Sequence, residues 1–281
     1  MTRPATSHEP DAPDDQPVIR FENVTVQFDD VTALKDVSFE VKRAHTRILL
    51  GTAGSGKTVI LKTAMGLVRP QSGRVLLFGQ DITQLTEKEL FAARSKLGML
   101  FQESALFDSL NIEQNVAYPL VNQTAVQCDP KDVRPKVKEA LEFVELGQTL
   151  KKYPSELSGG MRRRAAIARA VVTKPPLLLY DSPTAGLDPI TAYTIMALII
   201  KERDLDNTTA LVVTYRYQDG NLVANFRYNP ENGELMGAPE QTQPQTKFMV
   251  LKEGRLIFEG SQDELEASTD SYVKKFVRRT D

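Results

Sequence analysis

RILLGTAGSGKT, residues 47–58, joins a short apolar run to a glycine-rich loop, and its reading decides the fold. Gly51, Gly56, Lys57 and Thr58 satisfy the G-x-x-x-x-G-K-[ST] spacing, in which backbone N–H groups converge on phosphate oxygens. That spacing needs a strand before it and a helix after it. The apolar RILL (47–50) and the helical pattern VILKTAMGLV (59–68) supply both. The helix N-terminus adds partial positive charge to the converging amides. Gly51, Thr52, Ala53, Gly54, Ser55 and Gly56 are therefore read as a phosphate cradle. Lys57 would reach the outer phosphates, and the Thr58 hydroxyl would ligate Mg²⁺.

A second stretch, LLLYDSPTAGLDP (177–189), carries an acid at the end of an apolar run. Burying such a charge is costly unless it meets a cation or a hydrogen-bonding partner. In proteins with this phosphate loop, an acid at the end of a neighbouring strand holds the Mg²⁺ shell, so Asp181 is expected in that role. The competing reading is an aspartate that caps the following turn.

The rest of the chain is organised around these two points. VIRFENVTVQF (18–28) and ALKDVSFEVKR (33–43) alternate apolar and polar residues, as half-exposed antiparallel strands do. GRVLLFG (73–79) reads as a strand and LTEKELFAARSKL as an exposed helix near 86–95. From about 103 to 172 the pattern is mainly helical: KDVRPKVKEALEFVEL (131–146) is amphipathic, and SGGMRRRAAIARAVV (158–172) reads as a helix opened by Ser158. LLLYD, a helix from about 189 to 203 and ALVVT (210–214) restore the strand–helix–strand alternation of a parallel sheet. Residues 216–246 form an atypical insertion, in which NPENG predicts a surface hairpin followed by a polar loop. MVLKEGRLIFEG predicts a second hairpin, and a short helix ends the chain. The expected organisation is a tail over 1–17 and one α/β domain over 18–281, with a helical subdomain inserted at about 103–172.

Composition narrows the function classes. The formal net charge is −2, so no global basic field points to nucleic acid, and no nucleic-acid partner is expected. One cysteine, Cys128, excludes an internal disulfide framework and reads as a small packing residue in a reducing compartment. The first 17 residues, rich in Pro and Asp, lack the apolar core of a signal peptide and are expected to be disordered. ITAYTIMALII (190–200) is far short of the roughly 18 apolar residues that span a bilayer. A cytosolic protein is expected, one able to dock on a membrane partner.

LSGGM (157–161), between the phosphate loop and Asp181, resembles the signature of ABC-type ATPases. Ser158, Gly159, Gly160 and Met161 open a helix there. The resemblance implies that this helix N-terminus faces the terminal phosphate of ATP bound by another subunit. Gln102, in GMLFQ, resembles the glutamine that touches Mg²⁺ where the core meets the helical subdomain. Asp188, in AGLDP, resembles the acid that reaches across the dimer interface. Phe28, in VQFDD, fits the aromatic residue that stacks on adenine, the alternative being a core Phe at a strand end. The fold implied is a P-loop NTPase of ABC type: a mostly parallel core sheet, an antiparallel β subdomain and an inserted helical subdomain, with ATP and Mg²⁺ as ligands.

A narrower resemblance rests on GMLFQESALFDSLNIEQNVAYPL, LSGGMRRR, DPITAYTI and LEASTDSYVKKFV. These stretches are similar to the ATPases of phospholipid-trafficking (Mla or MCE-type) transporters, also described as toluene-tolerance transporters. The resemblance implies a pair of membrane-spanning permease subunits, an MCE-type lipid-binding protein in the same complex, and a place on the cytoplasmic face of the bacterial inner membrane.

Two positions depart from the family pattern. Glu usually follows the Mg²⁺ aspartate and acts as general base, whereas in this chain Ser182 follows it. General-base assistance contributes about 10²–10⁴ in rate. The family's V-T-H, whose His contacts the terminal phosphate, is replaced by V-T-Y with Tyr215. Lys57, Gln102, Ser182 and Tyr215 are thus the catalytic candidates, the last two as altered positions. His8 and His45 offer no evident substitute. Asp219 or Glu231, in the insertion, is a candidate replacement group, against a solvated loop charge. Of Arg162, Arg163 and Arg164, one or two are expected to pair within the nucleotide interface or helical subdomain, against an exposed solvated face. The reading is a transport motor closing as a homodimer or ABC heterodimer. The alternative is a hydrolysis-deficient nucleotide-gated scaffold or the degenerate half of a heterodimer. A soluble translation or DNA-repair ABC protein would carry two cores or a long coiled coil, and neither pattern occurs in this sequence.

Overall fold

The computed structural model of the chain describes residues 16–123, 125–238 and 245–277. The expected tail lies outside these residues up to position 15, His8 included. β1 (Pro17–Phe28) and β2 (Val31–Lys42) are long antiparallel partners. β3 (Thr46–Leu50) is buried along its length and runs through the phosphate loop into α1 (Lys57–Ala64). β4 (Ser72–Leu77), β5 (Gln80–Asp81), α2 (Glu87–Arg94) and β6 (Leu97–Leu100) follow. Next come α3 (Ile112–Asn122), α4 (Pro130–Phe143) and α5 (Gly159–Val171), then β7 (Leu177–Asp181), α6 (Pro189–Asp206) and β8 (Thr209–Thr214). α7 (Tyr217–Asn225), β9 (Phe226–Asn229), β10 (Glu234–Gly237), β11 (Thr246–Lys252), β12 (Arg255–Gly260), α8 (Gln262–Ala267) and α9 (Lys274–Val277) complete the described chain.

A six-stranded sheet in the order β12-β11-β3-β8-β7-β6 forms the centre. All its pairs are parallel except β12 on β11, so the α/β expectation is met. Alternate residues of each central strand feed opposite cores, as the two-residue side-chain period requires. Ile48, Leu50, Leu178, Tyr180, Val212 and Phe248 pack beneath the helices. Leu49, Leu177, Leu179, Leu211, Val213 and Met249 pack with the four-stranded antiparallel sheet β2-β1-β4-β5. Strands covered on both faces read as continuous apolar runs, which is why RILL and LLLYD lack alternation. The C-terminal ends of β3, β7 and β8 carry Gly51, Ser182 and Tyr215 respectively, so the parallel register brings the predicted positions to one edge. His45 precedes β3 at the opposite end, away from the loop.

Two parts of the chain differ from the sequence reading. LGML was not expected to form a strand, yet β6 pairs in parallel with β7 and closes the sheet edge. Residues 216–246 are not simply a hairpin and a loop, because α7 comes first and buries Tyr217, Val223 and Ala224. The hairpin itself is present: β9 and β10 pair around Pro230–Gly233, and Gly233, with φ of 74°, supplies the left-handed turn residue. The loop expected after it lies partly outside the described residues, over 239–244. Asp204 anchors the hairpin to α6. Its carboxylate accepts from Arg203 at 2.8 and 2.9 Å, from Arg227 at 2.9 Å and from the Tyr228 amide at 2.8 Å. Cys128 is half-buried and packs against the helical core, as expected. No described helix is long and apolar enough to cross a membrane.

Candidate functional site

The phosphate loop closes tightly on itself. A Cβ on Gly51 would stand 2.4 Å from Ser55 Oγ and 2.9 Å from the Leu251 carbonyl oxygen. Gly56 has φ of 107°, and a Cβ there would lie 2.7 Å from the Ala33 carbonyl oxygen. Both positions therefore demand glycine. Lys57 Nζ donates to the carbonyl oxygens of Gly51 at 2.9 Å and Thr52 at 2.8 Å, holding the ammonium inside the loop. Burial pulls its pKa down, and the Asp181 carboxylate works in the opposite direction. The Ser55 hydroxyl is buried in the same loop without a hydrogen-bond partner. A buried cation and an orphaned hydroxyl, at the N-terminus of α1, are the groups that a phosphate chain would satisfy.

Thr58 Oγ1 donates to Asp181 Oδ2 at 2.9 Å, joining the first turn of α1 to the end of β7. Ser182 Oγ donates to Asp181 Oδ1 at 3.3 Å. Asp181 is only 4% exposed, with the Thr58 and Ser182 hydroxyls on its carboxylate and the charges of Lys57 and Arg163 acting on it. A hydroxyl–carboxylate pair of this kind suits Mg²⁺, which takes oxygen ligands and shares phosphates and water with few protein groups. Among the described residues there is no cluster of three His, Cys, Asp or Glu side chains able to hold a metal. Ser182 takes a left-handed φ of 49°, and its amide donates to the Val213 carbonyl at 2.8 Å.

The remaining candidates arrange around this centre. Ser158 caps α5 and accepts from the Met161 amide at 3.2 Å. A Cβ on Gly160 would stand 2.6 Å from Thr191 Cγ2, so the start of α5 lies against the start of α6. Asp188 caps α6, accepting from the amides of Ile190 at 3.1 Å and Thr191 at 3.0 Å, and these bonds, Thr191 foremost, depress its pKa. LSGGM and GLDP are thus neighbours, whereas among the described residues no hydrogen bond joins Ser158–Met161 to the phosphate loop. Tyr215 is 43% exposed, and Phe28, 46% exposed at the end of β1, is not a core residue.

The three arginines divide their work within the chain. Arg162 donates to the Leu157 carbonyl at 2.6 Å, and Arg164 to the Val144 carbonyl at 3.1 Å. Arg163 is buried and donates to the backbone carbonyls of Phe101 at 3.0 Å, of Gln102, and of Ala185 at 3.3 Å. It therefore ties the Gln102 segment and the turn after Ser182 to the signature helix. The sequence reading missed that role. Its signal was periodicity, since Arg163 falls in register with the buried Ala166, Ile167 and Ala170. Glu231 sits in the hairpin turn, its amide bonded to Asn229 Oδ1 at 2.9 Å, whereas Asp219 is buried and bonded to Thr184 and Thr214.

Comparison with known proteins identifies the family. Residues 34–185 match the family model described as ABC transporter, more than half of the chain. The chain is 33% identical over 264 residues to the intermembrane phospholipid transport system ATP-binding protein MlaF of Haemophilus influenzae, covering 94% of this chain and 91% of that protein. It is 39% identical over 197 residues to the probable ribonucleotide transport ATP-binding protein mkl of Mycobacterium leprae, covering 70% of this chain but 56% of that protein. The match to the methionine import ATP-binding protein MetN of Corynebacterium jeikeium is 38% over 208 residues, spanning 55% of that protein. The dimeric ATP-binding cassette MJ0796, solved with ADP and Pi, superposes with a TM-score of 0.71 at 29% identity, covering 86% of this chain and 98% of that one. The chain belongs to the ABC transporter family, as one of its ATP-binding subunits.

Proposed function

We propose that this chain powers lipid trafficking, with phospholipid as the cargo, by ATP-dependent closure of two cassettes under a membrane-spanning permease. The observation that carries the reading is the hydrogen bond from the exposed Thr58 to the buried Asp181, beside Lys57 at the mouth of a loop whose Gly51 and Gly56 leave no room for a side chain. Gly51 to Gly56 would bind the phosphates through backbone amides, with Lys57 as counter-charge. Thr58, Asp181 and Gln102 would hold Mg²⁺, and Phe28 would meet the base. When bound, Mg²⁺ neutralises charge on the phosphate oxygens. Ser158–Met161 and Asp188 lie side by side at the starts of α5 and α6, which suits completion of the site by a second cassette.

The lipid reading rests on MlaF, the relative matched over nearly its whole length, whereas the match to the methionine importer spans about half of that protein. A groove of about 460 Å³ lined by Leu67, Met99, Phe101, Phe107 and Tyr118 suits a helix of the permease. Several of these side chains are large, apolar and exposed, as an interface core requires. An MCE-type lipid-binding protein is the further partner expected, and the place of action is the cytoplasmic face of the bacterial inner membrane.

Extraction from native membranes tests this. The chain should co-purify with a membrane-spanning subunit, and the complex should move labelled phospholipid between vesicles only with Mg-ATP. A complex that moves methionine and no lipid would overturn the cargo. Ser182 favours a second reading, a nucleotide-gated scaffold with negligible hydrolysis, because a hydroxyl cannot serve as a base at neutral pH unaided. Lipid movement that stops when a non-hydrolysable ATP analogue replaces ATP would exclude the scaffold.

A further inference from the structure

Asp219 lies outside every motif that the nucleotide reading uses, yet it touches both altered turns. It sits in the first turn of α7 and is 2% exposed. Its Oδ2 accepts from Thr184 Oγ1 at 2.7 Å and from Thr214 Oγ1 at 2.7 Å. Thr184 stands two residues beyond Ser182, and Thr214 immediately precedes Tyr215. One carboxylate oxygen therefore joins the turn carrying Ser182 to the turn carrying Tyr215. Its Oδ1 faces the Arg216 guanidinium, with Nε at 3.7 Å. Each threonine donates its single hydroxyl proton to Asp219, and Thr214 Oγ1 still accepts from the Arg216 amide at 3.1 Å.

The local energetics favour a fixed arrangement. Burial pushes the Asp219 pKa up, and the two threonine bonds and Arg216 work against that rise. Hydrogen bonds to a charged group are stronger than neutral ones, and the two threonine bonds to Asp219 hold the two turns together. The left-handed backbone at Ser182 persists only where the surroundings over-determine it, and Asp219 is part of those surroundings.

We propose that Asp219 is a positioning residue of the nucleotide site, fixing Ser182 and Tyr215 relative to the terminal phosphate through Thr184 and Thr214. The inference rests on the ATP reading above. Where the usual glutamate and histidine are absent, turnover depends on placement and electrostatics, and a misplacement of about 1 Å can cost about 10²-fold.

The test uses the purified full chain and its Asp219→Asn variant, which keeps the size and one acceptor oxygen but loses the charge. Calorimetry measures Mg-ATP binding, steady-state kinetics measure turnover, and hydrogen exchange reads residues 182–187 and 214–217. The expected result is affinity within about threefold of wild type, kcat lower by tenfold or more, and faster exchange confined to those two segments. Thr184→Val and Thr214→Val should each reproduce part of the effect, and they serve if the asparagine variant does not fold. Thr184→Val added to Asp219→Asn should cost little more than Asp219→Asn alone. Unchanged kcat and exchange overturn the proposal. So do weaker nucleotide binding and faster exchange across the whole sheet, which would mark Asp219 as a general structural prop. If wild-type turnover is too slow to measure, the exchange pattern decides. Failure of the wild type to bind Mg-ATP would sink the nucleotide reading itself, an outcome distinct from normal binding with unaltered kcat.

Discussion

Ser182 is where residue chemistry and family pattern part. Its hydroxyl donates to Asp181, so it shares the carboxylate that Thr58 also uses instead of offering a base to water. A glutamate there would provide a base, and such assistance is worth about 10²–10⁴ in rate. Ser182→Glu is therefore expected to raise ATP turnover by at least tenfold in a phosphate-release assay, with nucleotide affinity little changed. Equal turnover in both proteins would mean that another group already supplies the base. Lys57 and Thr58 were legible because fixed spacing within a strand–loop–helix leaves little freedom. Asp181, 123 residues beyond Thr58, and Ser182 after it were assigned to the same site from the apolar run before them and the family resemblance. The sequence did not reveal what Arg163 does. It predicts that one or two of the three arginines pair inside the protein but not which, and only burial of the middle one against the Gln102 carbonyl shows its task.

At the scale of elements, α7 shows where local signals fail. YQDGNLVAN holds a glycine and two asparagines, all weak helix formers, so propensity argued for a loop. Packing overrides it, since Gly220 lets the Phe248 ring lie against the helix: a Cβ there would stand 2.5 Å from Phe248 Cε1 and 2.9 Å from Ile48 Cγ2. On an exposed helix, Gly→Ala would stabilise by about 1 kcal/mol. In this position overpacking should win, and Gly220→Ala should destabilise by about 1–3 kcal/mol in urea unfolding. A stabilised variant would show that the helix has room to shift. β6 escaped notice for another reason. Four residues, LGML, are too short for periodicity, and a Cβ on Gly98 would stand 2.3 Å from the Ala170 carbonyl, a constraint that only tertiary structure reveals. By contrast, the parallel β–α alternation, the helix opened by Ser158 and the NPENG hairpin were legible, because each carries its own capping or turn chemistry.

Across the whole molecule, one titration stands apart from the site. Glu202 on α6 is buried, and burial, with Asp206 second, pushes its pKa up to about 7 from 4.5. A carboxyl whose folded pKa is raised contributes stability below the unfolded value and loses it as pH rises through the folded one. Unfolding free energy should accordingly fall between about pH 4.5 and 7.5, by up to about 3 kcal/mol from this group. Glu202→Gln should flatten that dependence in thermal melts at pH 5.5 and 8, and an unaltered slope would contradict the assignment. α6 packs on the helical side of the central sheet, and the phosphate loop follows β3 at the edge of that sheet. Every functional role assigned to the chain therefore depends on that edge binding nucleotide. Calorimetric titration of Mg-ATP into the wild type and Lys57→Ala decides whether it does. The wild type should bind saturably and the variant at least about 100-fold more weakly, the loss of a hydrogen-bonded charge costing about 3 kcal/mol. Equal affinity in the two proteins, or no binding by the wild type, would contradict nucleotide binding at this loop.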